Sequence, residues 1–310
     1  MAANRKITIA NSANRETRSG YEPELYDAIA PGYYDHVFER GSGVQWFWHY
    51  HRYAAVVANL PKTGNSILDL GCGPGTFLGN HAQGYRRALG IDLARAQIEY
   101  ATRKYANDRV HFNATDAIGF SGKEKFDVVV SIEVIEHLPL PETHSFLRTV
   151  FELLNPGGML VLATPNYSSL WPLIERYVSK IGPVDYVRQH INRFTLSRLE
   201  RELTNAGFVV DSKRTIFVAS PFLAFVSSRL AEMVYRLEQR FLPRHGSEIV
   251  ISARRPLDLT THSRILSETD APDRPSNITK LKNPQPLSKG SQIYRHDITC
   301  SIPIKSFEAI

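Results

Sequence analysis

The sequence predicts an α/β fold, a mostly parallel sheet with helices on both faces, and three observations predict it. Ser66 to Leu70 is a short apolar run with its one charge near the end, broken at once by Gly71, Gly73 and Gly75 before a helical pattern begins near Thr76. Strand, glycine turn and helix in that order present bare backbone N–H groups and the positive end of a helix dipole to a ligand. Phe126 to Ile132 is β-branched and uninterrupted, as a strand buried on both faces must be. Finally, strand-like and helix-like stretches alternate through most of the chain, which places ligands along the carboxyl edge of a parallel sheet.

At 310 residues with 43% apolar content the chain can bury a sizeable core. A net charge of +6 and a pI near 9.2 permit an anionic partner without requiring one. Cys72 and Cys300 stand far apart with no second thiol near either, which excludes a disulfide framework and a cysteine zinc site. A reducing, cytoplasmic setting fits that usage, and no apolar stretch has the length of a spanning helix. Residues 1–20 carry Arg5, Lys6, Arg15 and Arg18 against one acid, Glu16, and read as a disordered arm.

Taken in order, Tyr21 to Arg40 reads as a short helix broken around Pro31-Gly32. Val44 to Leu60 is a second helix, with Trp46, Phe47, Trp48, Tyr50 and Tyr53 crowded into its first part. In this helix His49, His51 and Arg52 are candidates for ligand contact. Arg87 to Ile91 is the second strand and ends in Asp92, 17 positions beyond Gly75, near the spacing of about 20 at which strand-ending acids meet ribose hydroxyls. Leu93 to Tyr105 is a helix, Val110 to Asn113 a strand, and Thr115-Asp116-Ala117 follows it. After the strand 126–132 come Glu133, Glu136 and His137, then a helix from Pro141 to Leu154, a turn at Asn155-Pro156-Gly157-Gly158, and a strand from Met159 to Thr164. Thr195 to Ala206 is a helix stopped by Gly207, Phe208 to Phe217 a strand, Phe222 to Leu242 one amphipathic helix, and Glu248 to Ala253 the closing strand. Pro256 to Ile310 holds six prolines and seven serines without sustained period and reads as a largely unstructured tail.

The spacing Asp69-x-Gly71-x-Gly73-x-Gly75 lacks the third glycine position of a dinucleotide fingerprint and the Lys-Ser/Thr of a phosphate loop. It resembles instead the first motif of class I S-adenosylmethionine-dependent methyltransferases, and the segment Phe151 to Gly158 is similar to the helix, turn and strand that follow their catalytic strand. The resemblance covers roughly residues 21–255. It implies a Rossmann-like seven-stranded sheet whose last strand runs antiparallel and an N-terminal helical lid over 21–60, and the apolar segments 166–190 and 218–245 read as cap or insertion segments. It further implies S-adenosylmethionine as cofactor, held by Asp69, Gly71, Cys72, Gly73, Gly75, Asp92, Leu93, Asp116, Ala117 and Glu133, with Asp116 and Ala117 reading adenine.

Methyl transfer from a sulfonium mainly needs alignment and exclusion of water, and a hydroxyl acceptor also needs its proton taken. His137, just past the central strand, is the candidate base, and His190 the second candidate catalytic residue. Glu133, Glu136, His137 and His190 together are similar to the divalent-metal site of ubiquinone-pathway O-methyltransferases and of enzymes that methylate the terminal ribose 2′-hydroxyl of small RNAs. Such a mixed oxygen and nitrogen set suits magnesium, manganese or zinc. The expected function is methylation of a small-molecule hydroxyl. A metal-dependent RNA 2′-O-methyltransferase and a donor-binding relative that transfers nothing are the alternatives. The sequence lacks the dense basic groove of an RNA enzyme, so nucleic acid is not the expected partner. The apolar stripes within 166–189 and 222–242 leave open a membrane-surface contact, a homodimer contact or ordinary core.

Overall fold

The computed structural model describes residues 29–122, 124–182 and 184–257. The expected arm, the first eight residues of the expected lid and all but the start of the expected tail lie outside the described residues. Helices α1 (Tyr33–Glu39) and α2 (Val44–Val57) precede β1 (Gly64–Leu70), and then α3 (Thr76–His81), β2 (Tyr85–Asp92), α4 (Arg95–Tyr105), β3 (Val110–Ala114) and β4 (Phe126–Ile132) follow. A single 3-10 turn, Ile135–His137, leads to α5 (Leu140–Leu153) and β5 (Leu154–Pro165). The chain continues through α6 (Trp171–Ile181), α7 (Tyr186–Gln189), α8 (Leu196–Asn205), β6 (Val209–Ile216), α9 (Ser220–Leu223), α10 (Ser228–Phe241) and β7 (Glu248–Arg254).

The seven strands form one sheet in the order β3-β2-β1-β4-β5-β7-β6. All neighbours are parallel except β7, which runs antiparallel to both β5 and β6. Both faces are covered, and the alternation of side chains decides which residue serves which layer. Ile67, Val128, Val130 and Val161 join one core, while Leu68, Leu70, Val129, Leu160 and Leu162 join the other. That two-sided burial is why β1 and β4 read as near-continuous apolar runs. The order reverses between β1 and β4, so the loops leaving those two strands part and open a crevice at the carboxyl edge.

Two expectations change. The strand expected from Met159 begins at Leu154: Leu154 pairs with Phe126 and the ladder shifts register before Val128 meets Met159, so the Pro-Gly-Gly stretch bulges without ending the strand. The helix expected over 222–242 is two helices. The Ser227 hydroxyl accepts from the Leu230 N–H and starts α10 afresh. Glu238 of that helix gathers the N–H groups of Ala219 and Ser220 at 2.6 and 2.8 Å, folding α9 back against it. Among the described residues no helix is long and apolar enough to cross a membrane.

The first helix is tied to the sheet layer by one buried acid. Asp35 accepts hydrogen bonds from Thr76 at 2.9 Å, Tyr105 at 2.6 Å, Tyr100 at 2.8 Å and Lys104 at 2.5 Å. Burial by itself raises its carboxyl, yet Lys104 and the three hydroxyls hold it below its ordinary 3.8. A carboxyl depressed in the folded state stabilises above the unfolded value and loses that contribution as pH falls through the folded one. We expect Asp35→Ala to cost about 3 kcal/mol at pH 7, since four donors lose their acceptor. The gap between wild type and variant should shrink in urea melts repeated at a pH below 3.8.

Candidate active site

A cavity of about 1050 Å³ opens at the crevice. The glycine turn after β1 supplies Asp69, Gly71, Cys72 and Gly73 to its wall, β2 supplies Asp92 and Leu93, and the turn after β3 supplies Asp116 and Ala117. Glu133, His137 and His190 also line it. Residues that lie far apart in sequence thus share one wall, because parallel strands deliver all their carboxyl ends to the same edge. Gly75 does not line the cavity. Its φ of 77° starts α3, and a Cβ there would meet Phe112 and Ala101 at 2.8 Å, so its part is close packing of helix on sheet. Gly71, at φ 82°, allows no side chain either: a Cβ would come within 2.2 Å of Val134.

Asp92 braces the turn that it faces. Its Oδ2 accepts the Gly73 N–H and its Oδ1 the Ala94 N–H, both at 2.8 Å. Burial raises its carboxyl, opposed by the N–H groups of Ala94, Gly73 and Leu93. Asp69, close behind, is pushed up to about 8 by burial, with the Asp92 charge adding to it. Asp116 Oδ1 accepts the Ile118 N–H at 2.8 Å, an Asx turn that fixes the loop after β3.

Past β4 the chain is sharply bent. Glu133 has φ 57°, unusual for a residue with a side chain, and the 3-10 turn brings His137 back toward the cavity. His137 Nδ1 lies 3.0 Å from the Gln189 carbonyl. A carbonyl only accepts, so His137 donates from Nδ1. Burial lowers the imidazole to about 4, against the bonds to the Gln189 and Glu133 backbone. His190 is buried, and its Nδ1 donates to Glu175 Oε1 at 2.6 Å. Glu175 would be raised by burial, but His190 and Tyr167 bring it below the usual carboxylate value. The two imidazole rings stand 5.1 Å apart.

One ligand atom from each of Glu136, His137 and His190 falls within a 4.8 Å cluster. Glu136 is fully buried; its Oε2 accepts from the Thr164 hydroxyl at 2.8 Å, and its Oε1, 3.9 Å from His137 Nε2, has no hydrogen-bond partner among the described residues. Glu133 is outside this cluster, which corrects the four-residue set expected from the sequence. Its Oε2 is 3.2 Å from the Arg52 guanidinium. Burial raises its carboxyl, with Arg52 opposing and Glu136 and Glu248 adding.

Arg52 itself was legible as a candidate, but its partners were not. It is buried, bonds Glu248 at 2.5 Å, and Glu248 in turn accepts from Trp48 Nε1 at 2.7 Å. Glu248 belongs to the closing strand, and no spacing rule links it to α2. His49 lines the cavity and burial lowers it to about 3. His51 turns the other way, packing on Tyr235 and pairing with Glu232 at 3.1 Å, so it leaves the list of ligand contacts. The remaining wall is rich in aromatic side chains: Tyr34, Trp48 and Tyr53 from the first two helices, Trp171 and Tyr177 from α6, and Phe222 and Phe225 at α9.

The sequence matches the methyltransferase domain family over residues 47–213. It is 29% identical over 136 residues to a ubiquinone biosynthesis O-methyltransferase of Pseudomonas fluorescens, covering 43% of this chain and 56% of that one. The chain thus spans about half the length of the curated relatives it matches. Among solved structures it is similar to the methyltransferase in complex with the Trm112 methyltransferase activator of Haloferax volcanii, with a TM-score of 0.55 and 18% identity over 75% of this chain and 97% of that one. It is also similar to an S-adenosylmethionine-dependent methyltransferase of Mesorhizobium loti, with a TM-score of 0.50 and 22% identity over 65% and 96% of the two chains. The matched segment runs from α2 to β6 and contains the glycine turn, both strand-end acids and His137: the chain belongs to the methyltransferase domain family, among the class I S-adenosylmethionine-dependent methyltransferases.

Proposed function

We propose that the protein moves the methyl group of S-adenosylmethionine to a hydroxyl of a small organic acceptor. The observation that carries this reading is one cavity walled both by the glycine turn with its strand-end acids and by His137 beside a set of aromatic side chains. In this reading Asp92 accepts from the ribose hydroxyls, Asp116 and the Ala117 N–H meet adenine, and the backbone of Gly71, Cys72 and Gly73 lies against the rest of the donor. The acceptor oxygen attacks the methyl carbon as the carbon–sulfur bond breaks and its electron pair stays on sulfur, leaving S-adenosylhomocysteine. The hydroxyl proton passes to the imidazole of His137, which the Nδ1 bond to Gln189 holds at the cavity wall. The aromatic wall favours an acceptor with apolar or ring surface and excludes water from the transfer.

The unpartnered Glu136 Oε1 supports a metal-assisted version. Glu136, His137 and His190 would hold a divalent cation, and such an ion, when bound, would supply positive charge that lowers the pKa of a nearby hydroxyl. Incubation with methyl-labelled donor and cell extract, with and without chelator, tests both versions. Label in the polar or lipid fraction supports the proposal, and its loss on chelation supports the metal. Label in RNA would replace the proposal with 2′-hydroxyl methylation of RNA. No label anywhere from protein that binds the donor would point to a relative that transfers nothing.

A further inference from the structure

Helix α10 exposes the stripe that its sequence would lead one to bury. Leu230, Met233, Leu237 and Phe241 recur at three- and four-residue spacing and so share one side. All four are exposed, Phe241 at 67% and Met233 at 54%. The side that packs on the domain is another: Ala231 and Glu238 are buried, and the Tyr235 ring meets Phe217. The helix is therefore already docked, and its second apolar side is unused. Toward its N-terminus this surface continues into Val226 and Phe225, 75% and 86% exposed, and Phe225 is also part of the cavity wall. On α6, Tyr177 is likewise both exposed and part of that wall. An apolar surface of this extent, continuous with a cavity rim, marks an interaction site.

The charges say what kind. Arg229, Arg236 and Arg240 follow one another along the flank of the stripe, all exposed, and Arg176 and Lys180 are exposed on α6. Of the acids of α10, Glu238 is buried and Glu232 pairs with Arg236 and His51, so Arg229 and Arg240 remain as the helix's excess charge. Apolar side chains flanked by arginines suit a surface that is apolar inside and anionic at its edge. A lipid surface meets that demand and leaves the rim, where Phe225 and Tyr177 stand, open to a molecule dissolved in it, whereas a protein partner of the same chemistry would cover the opening.

We propose that α10, with Phe225, Val226 and the exposed side of α6, docks on an anionic lipid surface, the apolar stripe entering below the head groups and the arginines meeting lipid phosphates. The contact is independent of whether methyl transfer occurs.

Co-sedimentation of the full chain with vesicles of phosphatidylcholine alone, and of phosphatidylcholine with phosphatidylglycerol, tests it. Retention is expected on the anionic vesicles, falling as salt rises. The variant Arg229→Ala/Arg236→Ala/Arg240→Ala should bind them more weakly by on the order of tenfold to a hundredfold. Leu237→Ser/Phe241→Ser, with its charge intact, should also lose retention at low salt. None of these five residues lines the cavity, so both variants should keep the wild-type affinity for S-adenosylhomocysteine, which shows that they are folded. Failure of donor-competent wild type to bind either vesicle would overturn the proposal, as would undiminished binding by both variants. A dimer seen by sedimentation velocity and abolished by Leu237→Ser/Phe241→Ser, without vesicle binding, would assign the face to a second copy of the chain instead.

Discussion

Replacing His137 with alanine is expected to lower the rate of methyl transfer by on the order of a thousandfold while donor affinity stays within about threefold. The imidazole bonds the Gln189 carbonyl through Nδ1 and has Nε2 3.9 Å from Glu136 Oε1, so its removal takes away the proposed proton acceptor without touching the glycine turn or Asp92. Single-turnover measurements with labelled donor would separate this from a binding defect. Glutamine at the same position can still bond the Gln189 carbonyl but cannot carry the proton away, so His137→Gln should be nearly as slow as His137→Ala. Recovery of most activity in His137→Gln would mean that the ring only shapes the pocket, and His137 would lose its catalytic assignment.

Asp92→Ala is expected to weaken S-adenosylmethionine binding by at least about a hundredfold. Two charge-assisted hydrogen bonds to ribose hydroxyls, at roughly 1.5 to 3 kcal/mol each, already exceed that figure. A second loss adds to it, because the same carboxylate holds the N–H groups of Gly73 and Ala94 and with them the shape of the turn. Asp92→Asn keeps the size of the side chain but gives up one acceptor oxygen and the charge, so it should fall between wild type and Asp92→Ala. Calorimetric titration of the three proteins checks the order. An Asp92→Ala variant that is folded and binds the donor as tightly as wild type would remove Asp92 from the site.

Much of the cavity wall around the glycine turn was legible in the sequence because each part is local. The apolar run into Gly71, the acid that ends β2 and the Asp-Ala pair after β3 are contiguous signals, and a parallel sheet sends all their ends to one edge. Gly75 stands off the cavity wall for an instructive reason: a glycine in a turn can face the cavity or the packing beneath it, and only the nearness of Phe112 and Ala101 distinguishes the two. His51 is likewise off the wall. On α2 it is two residues from His49, so the helix turns it to another side, where Glu232 and Tyr235 meet it.

By itself the sequence determined the order and type of the main elements and which residues end the parallel strands, since these depend on short-range periodicity and on glycine turns. The tertiary structure alone decided partnership. Sheet order brings Glu248 to Arg52, the fold of 166–190 brings Glu175 to His190, and Arg52 draws Glu133 away from Glu136 and the two histidines. It also decided that the apolar stripe of α10 faces solvent. The physical reason is the same in each case. A side chain's partner is set by which elements pack together and at what rotation, and neither quantity is carried by the spacing of residues along one segment.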